Sequence, residues 1–358
     1  MGTLHNVGGQ RNIRFRDLAE SAFGRRWYWA VWVDQWFSLI CSDIGLFILA
    51  GESIKGTHDM YTTDGMKLTY WIIVFGALYF VFAMCVPHLH SLRIWSGSSN
   101  VLVLIFLAIC FGCSIHDGRD APPRDYGIHE SRPTGAFDAM GALGSIAFAF
   151  NTVILPELQA TIRPPTVRNF NYITLPLTYV VGCFPWIILT FVGWWAYGNE
   201  VTPNLIDSLS GPKWAKALAF MTAFAQIIVS LHFYACTVYE SLQSMWCQRN
   251  EGPWSPYNFG VRVLVRGGYV VTFIACLLPF FGDFIALTGS MCMIPLDLVL
   301  VLVLAIFVKV NKGRLSLPYR WFNILLASLL AIVAAVSSVA AVHYIVVDAV
   351  NYHVFANL

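Results

Sequence analysis

Between Trp27 and Val347 the sequence returns repeatedly to apolar runs about 20 residues long, with few charges inside them. Such a run matches the hydrocarbon thickness of a bilayer, so a chain with many of them folds as a polytopic helical membrane protein. Composition agrees: 57% of the 358 residues are hydrophobic and 12% are charged, against about 25% charge in soluble domains. The mean hydropathy is +0.63. The expected fold is all-α, with about nine transmembrane helices. The spans are Trp27–Ala50, Leu68–Val86, Ser98–Ser114, Ala139–Pro165, Asn171–Gly198, Trp214–Trp246, Val261–Phe281, Phe284–Val308 and Trp321–Val347. Residues 1–27 form a polar, basic N-terminal segment, residues 28–347 one transmembrane domain, and residues 348–358 a short tail.

Orientation follows from the loops. Fifteen of the 22 Lys and Arg residues fall on the side of the N-terminus, and cytoplasmic loops carry this excess. The N-terminus is therefore expected inside and the tail outside. No short basic segment leads into an apolar signal-peptide core. Gly2 invites lipidation, but Asn6 stands where Ser or Thr is wanted. The nine cysteines lie mostly within apolar runs and read as small buried hydrophobes, Cys110 and Cys113 included.

Within the spans, Ala139–Pro165 stands apart: AMGALGSIAFAFNTVILPELQATIRPP. Pro156 has no N–H and clashes with the carbonyl four residues back, that of Thr152. The helix is expected to open around Phe150–Ile154. Open backbone at membrane depth must be buried in protein or line a watery cavity, and in transporters it marks the substrate site. A Pro kink with a purely structural role is the other reading.

Polar residues inside the remaining spans are few. Asp34 and Asp43 share the first span, but nine residues rotate a helix by about 900°, so they face opposite sides. Asp297 follows Pro295 in IPLDLVL, where loosened backbone could hydrate it. Gln226 and Ser230 share a face of the sixth span, and His232 points elsewhere. His88 and His90 form the tightest His pair, with no second cluster to complete a haem or diiron arrangement. No phosphate loop or nucleophile elbow occurs, so no enzyme chemistry is supported. No cofactor, metal or nucleic acid is called for.

The stretch IAFAFNTVILPELQATIRPP, with Thr166, Val167, Arg168 and Asn169 after it, resembles the signature of the amino acid/auxin permease family. RNIRFRDLAESAFGRR, LVRGGYV and PFFGDFIALTGS are similar to the same family. SGPKWAK, LPFFGDFIALTGS and YHVFANL resemble its plant proline transporters. The resemblance implies proton-driven secondary transport, in the plasma membrane, of proline, glycine betaine and γ-aminobutyrate. It also implies a leucine-transporter-like inverted-repeat fold, here partial. Relatives carry two further spans before this point, the first another broken helix facing the one at Phe150–Ile154. Asp297 stands where proline transporters usually carry a neutral residue. The expectation is therefore that this chain alone does not transport, and that the two leading spans of a relative restore uptake. The alternative class is a non-transporting member that pairs with or modulates a full-length transporter.

The substrate logic is physical. Proline and betaine hold a carboxylate close to a positive nitrogen. A broken helix offers N–H groups for the first and free carbonyls for the second. Phe148 and Phe150 could face a compact ring or a methylated ammonium, with ordinary packing the alternative for each. Asn151 and Thr152 supply hydrogen bonds at the break, with Gln226 and Ser230 as further lining. Glu157, Asp34, Asp43 and Asp297 are the candidates for proton coupling or gating, Glu157 with Arg163 as its gate partner. The partners are the zwitterion, protons and lipid; a homo- or hetero-oligomer stays open.

Overall fold

A computed structural model of the chain describes residues 14–62, 65–86, 92–120, 123–127, 132–160, 162, 166–202, 204–247, 252, 255–270, 281–311 and 317–349, and every regular element among them is a helix. The helices are α1 (Phe15–Phe23), α2 (Arg25–Asp59), α3 (Leu68–Cys85), α4 (Leu92–Asp120), α5 (Arg132–Ala149) and α6 (Leu155–Ala160). There follow α7 (Thr166–Glu200), the short α8 (Leu205–Ser208), α9 (Lys213–Trp246) and α10 (Pro256–Tyr269). The run over 281–311, α11, is α-helical at Phe281–Thr288, π-helical at Gly289–Leu300 and α-helical again at Val301–Asn311; α12 is Leu317–Ala349.

Among the described residues, seven helices are long and apolar enough to cross a membrane, so the chain is a multi-pass membrane protein. They match seven of the nine expected spans. The fourth expected span is instead a shorter apolar helix at Gly135–Ala149, followed by a break and α6. The seventh begins within α10 and continues through 271–280, outside the described residues. The basic segment 1–13, His88, His90, Arg163 and the tail 350–358 also lie outside them.

The chain divides into two compact units. The first comprises residues 1–41, 129–182 and 282–351: α1, the start of α2, α5, α6, the start of α7, α11 and α12. Here α5 and α11 meet backbone to backbone. A Cβ added at Gly144 would collide with the Ala286 carbonyl, and one at Gly289 with the Gly144 carbonyl. Only glycine permits that approach. At the far end of α5, Tyr344 of α12 donates its hydroxyl to Asp138, and Phe137 packs on His343. Phe23 of α1 packs on Phe307, ring centroids 5.1 Å apart.

The second unit comprises residues 42–128, 183–281 and 352–358. Its apolar core brings together Phe106, Cys110 and Cys113 of α4, Leu189 of α7 and Phe220 of α9. Cys110 and Cys113 are free thiols within it. The same unit holds a buried polar chain. His232 Nδ1 and the Tyr239 hydroxyl both meet the Tyr79 hydroxyl, at 3.2 and 3.3 Å, and His232 Nε2 meets the Val86 carbonyl at 2.9 Å. His232 thus has a structural partner on each ring nitrogen.

Candidate functional site

The break in the first unit follows from Pro156. Regular helix bonding stops after Phe150 N–H donates to Ile146 C=O at 3.2 Å. Pro156 cannot donate to Thr152 C=O four residues back, and Leu155 N–H takes that carbonyl instead at 2.9 Å. A tight turn replaces the helix, and α6 starts with Pro156 in its first turn, where the missing N–H costs nothing. The opening lies within the expected Phe150–Ile154.

Freed backbone groups need partners, and side chains supply them. Thr152 N–H donates to Asp297 Oδ2 at 2.7 Å. Val153 N–H donates to Asn151 Oδ1 at 2.9 Å. From α2, Gln35 Nε2 donates to Val153 C=O at 3.3 Å and to Glu157 Oε1 at 3.1 Å. Two of the break's N–H groups, the kind expected to suit a substrate carboxylate, are thus held by Asp297 and Asn151. A carboxylate on another helix competes with the substrate's for the same donor, and that pairing, 145 residues apart in sequence, has no local signature.

Asp297 reaches the break because it sits in the π-helical segment of α11, which contains Pro295. One inserted residue re-aims the side chains beyond it, and such segments recur at functional sites. Asp297 is 8% exposed, and its Oδ1 has no hydrogen-bond partner among the described residues. Asp34 of α2 lies within electrostatic reach of Asp297. Ser38 and Cys41 of α2 lie within reach of Cys292 and Thr288 of α11.

The structure brings Asp34, Asn151, Thr152, Glu157 and Asp297 together in the first unit, with Gln35 as an organising residue that the sequence reading missed. Its signal was available: Gln35 neighbours Asp34 inside an apolar run. Phe148 and Phe150 belong to the same unit, and Phe150 is 44% exposed. Gln226 and Ser230, half-buried on α9, belong to the second unit. So does Asp43, which is fully buried and accepts the Tyr269 hydroxyl at 2.6 Å. Asp34 and Asp43 serve different surroundings, as their opposite faces require. Glu157 is held by Gln35, and Arg14 and Arg16 act on it electrostatically. Burial, then the neighbouring Arg14, lower the Arg16 pKa, and Glu157 acts to raise it. Among the described residues no cluster of His, Cys, Asp and Glu is placed to hold a metal ion.

The family model for the transmembrane amino acid transporter protein matches residues 1–344. GABA transporter 1 of Arabidopsis thaliana is 30% identical over 369 residues, 99% of this chain and 81% of the relative. Two lysine histidine transporter-like proteins of the same plant are similar: number 6 at 26% identity, covering 99% of this chain and 82% of the relative, and number 1 at 27%, covering 98% and 78%. No solved structure matches the chain at a significant level.

Proposed function

The chain belongs to the transmembrane amino acid transporter family, a family of transporters rather than enzymes, and on that premise we propose that it is a proton-coupled secondary transporter of small zwitterionic solutes: γ-aminobutyrate, proline and glycine betaine. The observation that carries this reading is the opened backbone at Phe150–Ile154, whose Thr152 N–H is held by a buried carboxylate instead of by helix bonding. A purely structural kink needs no ionisable group at its centre. Asn151, Thr152 and the exposed Phe150 are the groups offered to substrate, with Phe148, Gln226 and Ser230 as further lining. Glu157, Asp34, Asp43 and Asp297 are the carboxylates from which the coupling site is drawn. The name of the γ-aminobutyrate-transporting relative supports a substrate with one carboxylate and one cationic nitrogen. The same reading places nine spans in a partial inverted-repeat fold in the plasma membrane, with the N-terminus cytoplasmic.

The test is uptake of the three labelled solutes, with and without an inward proton gradient, by cells expressing the chain and by a chimera carrying the leading part of a relative. Gradient-dependent accumulation by either supports the proposal. Background uptake by both, with protein inserted in the membrane, overturns it.

A further inference from the structure

Asp43 of α2 is fully buried, and among the described residues it has one hydrogen bond: the Tyr269 hydroxyl of α10 donates to its Oδ2 at 2.6 Å. Its other oxygen, Oδ1, is buried and has no hydrogen-bond partner among the described residues. The chemistry of the one partner sets Asp43 apart. Glu157 accepts the Gln35 amide and Asp297 accepts a backbone N–H, donor-only groups that favour an ionised oxygen. No such donor reaches Asp43. A hydroxyl both donates and accepts, so Tyr269 keeps its bond to Asp43 whether or not the carboxyl carries a proton.

The groups packed around this pair spend their hydrogens elsewhere. The Val86 carbonyl can only accept, so His232 Nε2 carries the hydrogen of their 2.9 Å contact, and in the neutral ring Nδ1 accepts the Tyr79 hydroxyl of α3 at 3.2 Å. With its hydrogen given to His232, Tyr79 accepts the Tyr239 hydroxyl of α9 at 3.3 Å. Arg266 of α10 donates to the carbonyls of Ala83 and Val86 and lies over the Tyr239 ring. That ring meets the Tyr269 ring edge-on, centroids 5.0 Å apart. Cys236 and the exposed Glu240 of α9 and Arg262 of α10 belong to the same surroundings and make no hydrogen bond to Asp43. On α2 itself Cys41 is two residues away and Asp34 and Glu52 are nine, spacings that turn all three from Asp43. An ionised Asp43 would thus leave a charged oxygen buried and unbonded. What completes Oδ1 without a protein donor is a proton.

We propose that Asp43 holds one exchangeable proton on Oδ1, with the Tyr269 hydroxyl positioning the carboxyl through Oδ2, and that this is the proton coupled to substrate movement. The coupling half rests on the transport reading above. Loading forms one O–H bond at Oδ1 with a proton taken from water. Release breaks that bond and returns the proton to water, and no other covalent bond changes. The neutral carboxyl suits the closed contact between α2 and α10 at Asp43 and Tyr269. Release leaves a charged oxygen with no donor, a state that is stable only when the two helices part enough for water to reach it. Proton occupancy therefore selects between a closed and an open form of this contact.

The experiment is infrared difference spectroscopy on the purified chain in lipid, joined to uptake. A protonated-carboxyl C=O component is expected that shifts in D2O, fades as pH is raised and returns as it is lowered. It is absent in Asp43→Asn. In Tyr269→Phe it moves to higher frequency, because the C=O loses its donor, and Asp43→Glu moves it without abolishing it. In parallel, uptake is measured for the chain and for the chimera carrying the leading part of a relative. Proton-driven accumulation falls to the equilibrium level in Asp43→Asn and is kept in part by Asp43→Glu. A component untouched by Asp43→Asn, or one that does not respond to pH, overturns the proton site. A component lost in Asp43→Asn but unmoved in Tyr269→Phe overturns the positioning by Tyr269. Undiminished proton-driven accumulation in Asp43→Asn overturns the coupling. If the component behaves as expected but neither unaltered protein accumulates any of the three solutes, the proton site stands and the transport reading is what falls. Size-exclusion profiles separate these outcomes from misfolding, and Tyr269→Phe and Asp43→Glu keep the test open if Asp43→Asn does not fold.

Discussion

At the scale of the residue, Asn151 has two jobs at one position. Its Oδ1 accepts Val153 N–H, and its side-chain amide is among the groups that the substrate is proposed to use. Asn151→Leu leaves that N–H without its acceptor, a cost of roughly 1–3 kcal/mol if it stays buried, and removes the side-chain donors altogether. The expected outcome is loss of solute binding with membrane insertion intact, read by ligand-induced thermal stabilisation of purified protein. Unchanged binding would move the site elsewhere and leave the break a kink. Asn151, Thr152, Glu157 and Asp297 were all visible in the sequence, because a polar residue in an apolar run is costly and conspicuous. Their partners were not. Nothing local in IPLDLVL says that Asp297 will meet Thr152, and reading α2 for carboxylate pairs alone passed over Gln35, which ties Val153 to Glu157.

At the scale of the element, the break and the crossing of α5 with α11 decide where those residues stand. Pro156→Ala supplies the missing N–H to Thr152 C=O, and Ala is favoured over Pro inside a helix by about 3 kcal/mol. The variant is expected to close the helix through Phe150–Ile154, to be at least as stable, and to lose transport. Slower amide exchange over residues 150–156 would report the closure, and exchange as fast as in the unaltered protein would contradict it. Gly144→Ala works through packing. The gain in helix propensity is about 1 kcal/mol, but the new Cβ meets the Ala286 carbonyl, and overpacking costs about 1–3 kcal/mol. A lower melting temperature in detergent is expected; a higher one would show that α5 and α11 can separate freely. The break itself was legible from one proline. The π-helical run at Gly289–Leu300 was not, since an inserted residue shifts the apolar pattern too little to show. Pro295 was its only outward sign.

At the scale of the whole molecule, apolar runs were enough to identify a multi-pass helical membrane protein, because lipid leaves the backbone few choices. They could not say which side chains would share a compact unit. Gln226 and Ser230 lie on α9, in a different compact unit from Asn151, and helical periodicity holds no information about such grouping. The distribution of Lys and Arg gives one global expectation: an impermeant label reaches a tag placed after Leu358 and not one placed before Met1. Labelling of both tags, or of neither, would contradict an odd number of spans. The most direct test of proton-coupled transport through the break is solute accumulation in proteoliposomes under an imposed proton gradient. Purified protein carrying the leading part of a relative, reconstituted with and without Asn151→Leu, is given labelled γ-aminobutyrate, proline or betaine. Accumulation above equilibrium that collapses with the gradient and is missing in Asn151→Leu is the predicted result; equal accumulation by the two proteins, or accumulation indifferent to the gradient, would contradict it.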